Sequence, residues 1–249
     1  MKLFKSLIAG AVLSVAAGSA TALEDFDPSA IANQATLDAL TEDFGAALSY
    51  KAITPAEPLG LIGIDLGLEI SATSLETADV WGDALGDNDL GTLVLPKLHI
   101  HKGLPFGIDL GAVYSQVPTT DIQYMGGEIR YSFISGNLAI PAIAVRGTYT
   151  QLIGIDELEF TTKGLELTVS KGFLMLTPYA GIGQIWVDGD FDYDPIAGQT
   201  VDDINLSSDA QLFKWFVGLN INLGLMNIVA EVDTTGDAMT YSGKLGFRF

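Results

Sequence analysis

The sequence predicts an all-β fold: an antiparallel up-and-down transmembrane β-barrel of about ten strands, with twelve as the alternative, preceded by a short N-terminal helix. Three observations predict it. Apolar residues recur at every second position from about Leu59 to the end. The links between these runs alternate between short and long. Beyond the N-terminal stretch, no apolar run reaches the ~18 residues that a membrane helix needs.

The alternation is clearest in the first long run. Ile62, Ile64, Leu66, Leu68 and Ile70 form one face, and Gly63, Asp65, Gly67, Glu69 and Ser71 form the other. A strand with one oily and one wet face has this period of two. The pattern recurs through Val94, Leu98 and Ile100 against Lys97, His99 and His101, and through Phe106, Ile108, Leu110, Ala112 and Tyr114 against Asp109, Gly111 and Ser115. It continues with Met125, Ile129, Tyr131 and Phe133 against Glu128, Arg130 and Ser132; Ile143, Val145 and Tyr149 against Ala144, Arg146 and Thr148; and Leu165, Leu167 and Val169 against Glu166, Thr168 and Ser170. In 174–187 the run is strand-like, but its two faces do not separate. Phe213, Trp215, Val217, Leu219, Ile221 and Leu223 alternate with Lys214, Gly218, Asn220 and Asn222. Ile228, Ala230 and Val232 follow, and then Met239, Tyr241, Leu245, Phe247 and Phe249.

Short turns are predicted at Lys102-Gly103-Leu104-Pro105, Ser135-Gly136-Asn137, Lys171-Gly172-Phe173 and near Gly224, and longer polar links at 74–91, 117–121, 152–157 and 189–210. A soluble lipocalin-like barrel or sandwich would turn its oily face inward and carry a charged exterior. The polar face here is rich in Gly, Ser and Thr and poor in Lys, which suits a narrow interior better than a soluble surface.

The first residues read as a targeting signal, residues 1–22. Lys2 and Lys5 precede the short apolar run Leu7–Val15, and Ala20-Thr21-Ala22 has the small-x-small form of a cleavage site. A membrane helix is the rival reading. The run is too short for one, and Glu24, Asp25 and Asp27 follow it directly. The chain carries 12 Lys and Arg against 31 Asp and Glu, a formal charge of −19 that cleavage would make more negative still. That balance speaks against nucleic acid as a partner. There is no cysteine, and so no disulfide, thiol metal site or lipidated cysteine.

Residues 23–58 form a separate N-terminal segment, ahead of a barrel over 59–249. Ile31, Ala35, Leu37 and Leu40 fit a short amphipathic helix over 29–40 with Asp27 as its cap. Residues 44–53 then alternate like a strand. Counting them would make eleven strands, whereas single-chain bacterial barrels have even numbers. Either 44–53 lie inside or below the barrel, or a twelfth strand exists. The helix is expected to pack in or under the lumen as a plug, the alternative being a periplasmic tail.

The last strand carries the most specific signal. Phe249 is terminal, and Phe247, Leu245, Gly243, Tyr241 and Met239 precede it at every second position. In this the chain resembles the bacterial outer-membrane β-barrel proteins, whose final strand ends in an aromatic residue that the insertion machinery reads. The resemblance implies the outer membrane as location, its lipids and the barrel-assembly machinery as partners, and Tyr241, Phe247 and Phe249 as the assembly signal. The N-terminal layout is similar to that of the long-chain fatty-acid transporters, which hold a plug inside the barrel. The Asn-Pro-Ala motif of that family is absent, and this chain is much shorter.

The candidate lumen lining is Asp65, Glu69, Lys97, His99, Asp109, Glu128, Arg130, Arg146, Glu166 and Lys214, with Glu231, Lys244 and Arg248 in the same phase. Glu128, Arg130, Arg146 and Glu166 lie on three successive strands and are placed for a cross-strand charge ladder. Such a ladder either fills a narrow interior or lines a selective passage. His99 and His101 share one face near a short turn. Two histidines so placed suit a metal or a catalytic base, but without a third ligand or a nucleophile no catalysis, metal or cofactor is expected. Two acidic runs, Asp79, Asp83, Asp87 and Asp89, then Asp188, Asp190, Asp192 and Asp194, fail the spacing of a helix-loop-helix calcium loop. They read as solvated loops, with divalent bridging to lipid phosphates as the functional version. Tyr131, Tyr149, Tyr179, Trp186, Trp215, Tyr241 and Phe249 read as interfacial girdles. Restricted passage or binding of a small solute or apolar ligand is the leading functional expectation. A structural or surface-interaction barrel without transport is the alternative, and a lipid-active enzyme the third.

Overall fold

The computed structural model describes residues 33–77, 91–116, 123–155, 157–193 and 204–249. The proposed cleavage site, the 29–32 part of the expected helix and the acidic run Asp79–Asp89 lie outside the described residues, as does Asp194.

Ten antiparallel strands close on themselves in the order β1-β10-β9-β8-β7-β6-β5-β4-β3-β2. They are β1 (Ile64–Ser74), β2 (Thr92–Gly103), β3 (Ile108–Gln116), β4 (Gln123–Ser135), β5 (Ala142–Ile153), β6 (Leu158–Ser170), β7 (Leu176–Tyr193), β8 (Ile204–Leu223), β9 (Met226–Thr235) and β10 (Ala238–Arg248). Each strand pairs with its sequence neighbour, and β1 closes the wall against β10 from Asp65↔Arg248 to Thr73↔Thr240. Closure leaves no unpaired sheet edge, the condition for strands to stand in lipid.

The wall presents its oily face outward. Leu68, Leu98, Ile129, Leu165, Ile182, Phe213 and Tyr241 are all exposed, several of them by more than half. The alternate positions Glu69, Lys97, Arg130, Glu166 and Lys214 are buried to 2% or less. In water this arrangement would be inverted, because an apolar exterior costs ~25 cal/mol for each Å² left exposed.

The links at the Ile64 and Phe249 end are short: 104–107, 136–141, 171–175 and 224–225. Tight reversals there use left-handed backbone at Gly136 and Gly224. At the other end the links between β1 and β2 and between β7 and β8 are the long ones. In outer-membrane barrels short turns lie on the periplasmic side and long loops outside, and by that rule the short-turn end is the inner end and the long-link end the outer one. Two details differ from the expected alternation. β7 and β8 extend into the region expected as a polar loop over 189–210, so Asp188, Asp190 and Asp192 ride on a strand. The β9–β10 link at the outer end is only 236–237.

The N-terminal segment departs from the expected boundaries. Helix α1 spans Gln34–Leu48, and Asn33, not Asp27, caps it by accepting from the Thr36 amide. Residues 44–48, expected as strand, are the last turn of α1, and 49–59 run on without regular structure. No eleventh strand forms there, because the segment lies inside the closed wall.

Candidate functional site: a filled lumen

The lumen has two tiers. In the outer half the wall turns apolar side chains inward. Leu93, Leu95, Val113, Leu152, Phe160, Ile185, Val187, Phe191 and Leu212 form one cluster with Leu37, Leu40, Phe44, Ala47 and Leu48 of α1. Phe44 and Phe160 pack with ring centroids 4.7 Å apart. Gly45 sits where an added Cβ would lie 2.5 Å from Val187 Cγ2 and 2.9 Å from Leu212 Cδ1, so the helix backbone itself rests on the wall. These inward apolar positions lie beside outward ones, as in Leu93-Val94-Leu95 and Ile185-Trp186-Val187. That is why the faces of 174–187 do not separate in sequence.

The inner half is ionic. Arg146 bridges Glu128 at 2.9 Å and Glu166 at 2.6 Å, and Glu166 meets Lys214 at 2.8 Å. The predicted ladder therefore forms, with one difference: Arg130 pairs with Asp109 at 2.7 Å instead of joining it. Glu69 holds Lys97 at 3.3 Å and contacts His99. Asp65 gathers Lys244 at 3.1 Å, Arg248 at 2.7 Å and Asn227 at 2.9 Å. In this layer seven carboxylates, Asp65, Glu69, Asp109, Glu128, Glu166, Glu231 and Asp233, face seven buried or half-buried cations, Lys51, Lys97, Arg130, Arg146, Lys214, Lys244 and Arg248, while Asp43, also buried, accepts from the Glu76 and Thr77 amides at the outer end. Such balance is required, since an uncompensated charge in a dry interior costs several kcal/mol.

The segment after α1 is stitched into these charges. Lys51 Nζ reaches Asp233 at 2.7 Å and donates to the Ala46 carbonyl at 2.9 Å and to Ser49 Oγ at 3.1 Å. Lys214 donates to the Tyr50 carbonyl at 2.9 Å. Arg130 donates to Thr54 Oγ1 at 2.6 Å and to the Pro55 carbonyl at 2.8 Å. Ser132 donates to the Ala56 carbonyl at 2.6 Å, and the Ala56 amide donates to Ser170 Oγ at 3.1 Å. The Leu59 amide donates to Asp109 at 3.1 Å. Ile53 completes the layer against Tyr179, Phe216 and Val229. Tyr50, Lys51 and Ile53 are 0% exposed, and Thr54 is buried among their partners.

The histidines stack with ring centroids 5.7 Å apart. His99 is taken by Glu69. His101 lies 3.3 Å from the Tyr50 hydroxyl and 3.6 Å from Glu128. Their surroundings are the charge network and the inserted segment. Among the described residues no group of three metal-ligating side chains occurs. Tyr179, expected in an interfacial girdle, instead points inward, is 3% exposed and donates to Glu231 at 2.6 Å. Tyr131, Tyr149, Trp186, Trp215, Tyr241 and Phe249 do face outward. At the outer mouth, hydrogen bonds from Ser208 and Gln34 hold the Asp38 carboxyl below its ordinary range.

The lining residues missed in sequence are Lys51 and Asp233, together with the inward apolar set. The signal for the latter was on the page as consecutive apolar pairs in otherwise alternating strands. Lys51 had none, because its partner is 182 residues away.

No protein-family model matches the chain, and no curated protein matches it in sequence. Solved structures match it in architecture. The translocator domain of the autotransporter NalP from Neisseria meningitidis is 13% identical, covering 93% of this chain and 99% of that one, with a TM-score of 0.42. The N-terminal β-barrel domain of Pseudomonas aeruginosa OprF is 13% identical over 74% of this chain and 97% of that one, TM-score 0.34. The KdgM porin in complex with disordered oligogalacturonate is 10% identical over 76% and 99%, TM-score 0.38. Scores this low carry no argument about this chain, whose barrel is read from its own strand pairing. The strand pairing and the oily exterior of this chain itself define a closed ten-strand β-barrel with the architecture of a membrane-spanning wall.

Proposed function

We propose that this protein is an occluded outer-membrane barrel that works as a structural or surface-interaction element, without an open diffusion path. The observation that carries the reading is the burial of 50–56 in contact with strands on opposite sides of the wall: β4 through Arg130 and Ser132, β6 through Ser170, β8 through Lys214 and β9 through Asp233. A chain segment bonded to opposing walls crosses the lumen and stands in the way of a continuous polar channel between them. Restricted passage of a solute, the other reading, requires that this segment move. The lipid-active reading loses its basic group, since both histidines are engaged inside.

Planar-bilayer recording on the purified, folded protein tests the proposal. The full chain is expected to show no sustained conductance. A variant lacking 34–56, checked for folding by heat-modifiable migration, is expected to conduct. A steady open channel in the full chain would overturn the reading.

A further inference from the structure

The inserted segment has a direction. Gln34 Nε2 donates to the Ser207 carbonyl at 2.8 Å, near the outer start of β8. Asp43 accepts from the Glu76 amide at 3.0 Å and the Thr77 amide at 3.1 Å, just beyond the outer end of β1. Thr150 then meets the Leu48 carbonyl at 3.0 Å, Arg130 meets Thr54, and Ser132 meets Ala56. The Gly63 amide closes a turn onto the Gly60 carbonyl at 3.1 Å, and β1 begins at Ile64 on the periplasmic rim. Contacts therefore progress without reversal from the outer mouth to the inner one. The dimensions agree. Fifteen helical residues span ~22 Å, and the extended stretch after them can add ~30 Å or more. Together these exceed the height of the ~25 Å apolar band.

We infer that the barrel has carried its own N-terminal segment outward, so that the first turn of α1, from Asn33, stands at the outer mouth and is presented at the cell surface. This goes beyond occlusion, since a plug entering from either side would block the lumen equally. The helix itself is built for the direction. Its first turn is in water, with Asn33, Gln34, Ala35 and Asp38 exposed, while burial deepens toward its C-terminal end. Asp38 and Glu42, exposed on its outer half, have aqueous surroundings only at the mouth. The wall imposes a consequence for assembly. Residues 34–59 are enclosed by a seam that runs from Asp65↔Arg248 to Thr73↔Thr240. They therefore enter the lumen before that seam closes, or are drawn through it as a hairpin turning at 60–63.

The chain has no cysteine, so single thiols report position cleanly. Three variants suffice: Ala35→Cys on the first turn of α1, Asp237→Cys in the β9–β10 link at the outer end, and Leu225→Cys in the short β8–β9 turn. Intact cells are treated with a membrane-impermeant maleimide, before and after permeabilising the outer membrane. Ala35→Cys is expected to label in intact cells as fully as Asp237→Cys, and Leu225→Cys only after permeabilisation. Labelling of Ala35→Cys only after permeabilisation overturns the inference. So does labelling of Leu225→Cys, but not Asp237→Cys, in intact cells. A conducting full-length protein with a surface-labelled Ala35→Cys would sink the occlusion reading and leave this one standing.

Discussion

The Lys51–Asp233 pair is the direct ion pair that ties the inserted segment to β9. Both side chains are 0% exposed, and the three donors of Lys51 are taken by Asp233, the Ala46 carbonyl and Ser49. Asp233→Asn keeps the shape and one acceptor but leaves the ammonium buried without its counter-charge. Breaking a buried pair from one side costs about 3–5 kcal/mol. At 1.4 kcal/mol per tenfold, local release of the segment is expected to rise by roughly 10²- to 10⁴-fold. The assay is thiol labelling of an Ala52→Cys reporter, buried at 2% exposure, under conditions where its rate follows the opening equilibrium. The double variant Lys51→Met, Asp233→Leu removes both charges, and replacing such a pair with apolar volume is often close to neutral. It is expected to label near the wild-type rate. An unchanged rate in Asp233→Asn, or a double variant as leaky as the single one, would refute the argument that the pair's charge balance holds the segment in place.

Three further outcomes are expected. Leu219→Arg, within the lipid-facing run of β8, is expected to destabilise folding into lipid vesicles by about 2–4 kcal/mol, whereas Ile64→Arg at the periplasmic rim costs only about 0–1 kcal/mol; urea titration in vesicles checks the ranking. Gly45→Leu is expected to cost about 1–3 kcal/mol by forcing α1 off Val187 and Leu212, read as faster labelling of the Ala52→Cys reporter with the strands intact by circular dichroism. Deletion of Phe249 removes the terminal aromatic and the paired backbone bonds it exchanges with Ile64, 2.7 and 3.0 Å. It is expected to lower the yield of heat-modifiable protein in the outer membrane, and normal yield would count against its role in assembly.

The wall was legible because a strand between lipid and lumen must alternate. Asp65, Glu69, Lys97, His99, Asp109, Glu128, Arg130, Arg146, Glu166 and Lys214 all point inward as their phase requires. Phase says which side of the wall a residue occupies but not whom it meets there. The ladder over Glu128, Arg146 and Glu166 was readable because Glu166 stands directly opposite Arg146 and Glu128 lies one diagonal step away, opposite Thr148. Arg130 was placed in the ladder although its direct register partner is Asp109, and its bonds to Thr54 and Pro55 had no local signal. Tyr179 was misassigned because Ile182, Ile185, Trp186 and Val187 make both faces of β7 apolar.

The sequence by itself determined an antiparallel barrel of about ten strands, with twelve left open, the oily and wet faces and the charged character of the interior. These follow from local periodicity, which the two solvents on either side of one strand impose residue by residue. Only the tertiary structure decided where the N-terminal segment goes. Residues 44–53 alternate well enough for a strand. Closure of β1 on β10 leaves no edge for them to join, and the apolar outer half of the lumen offers α1 a surface to bury. The direction of the segment, the pairing of Lys51 with Asp233 and the proposed occlusion of the lumen all depend on contacts between residues far apart in the chain. No local pattern encodes such contacts, because they exist only once the wall has closed.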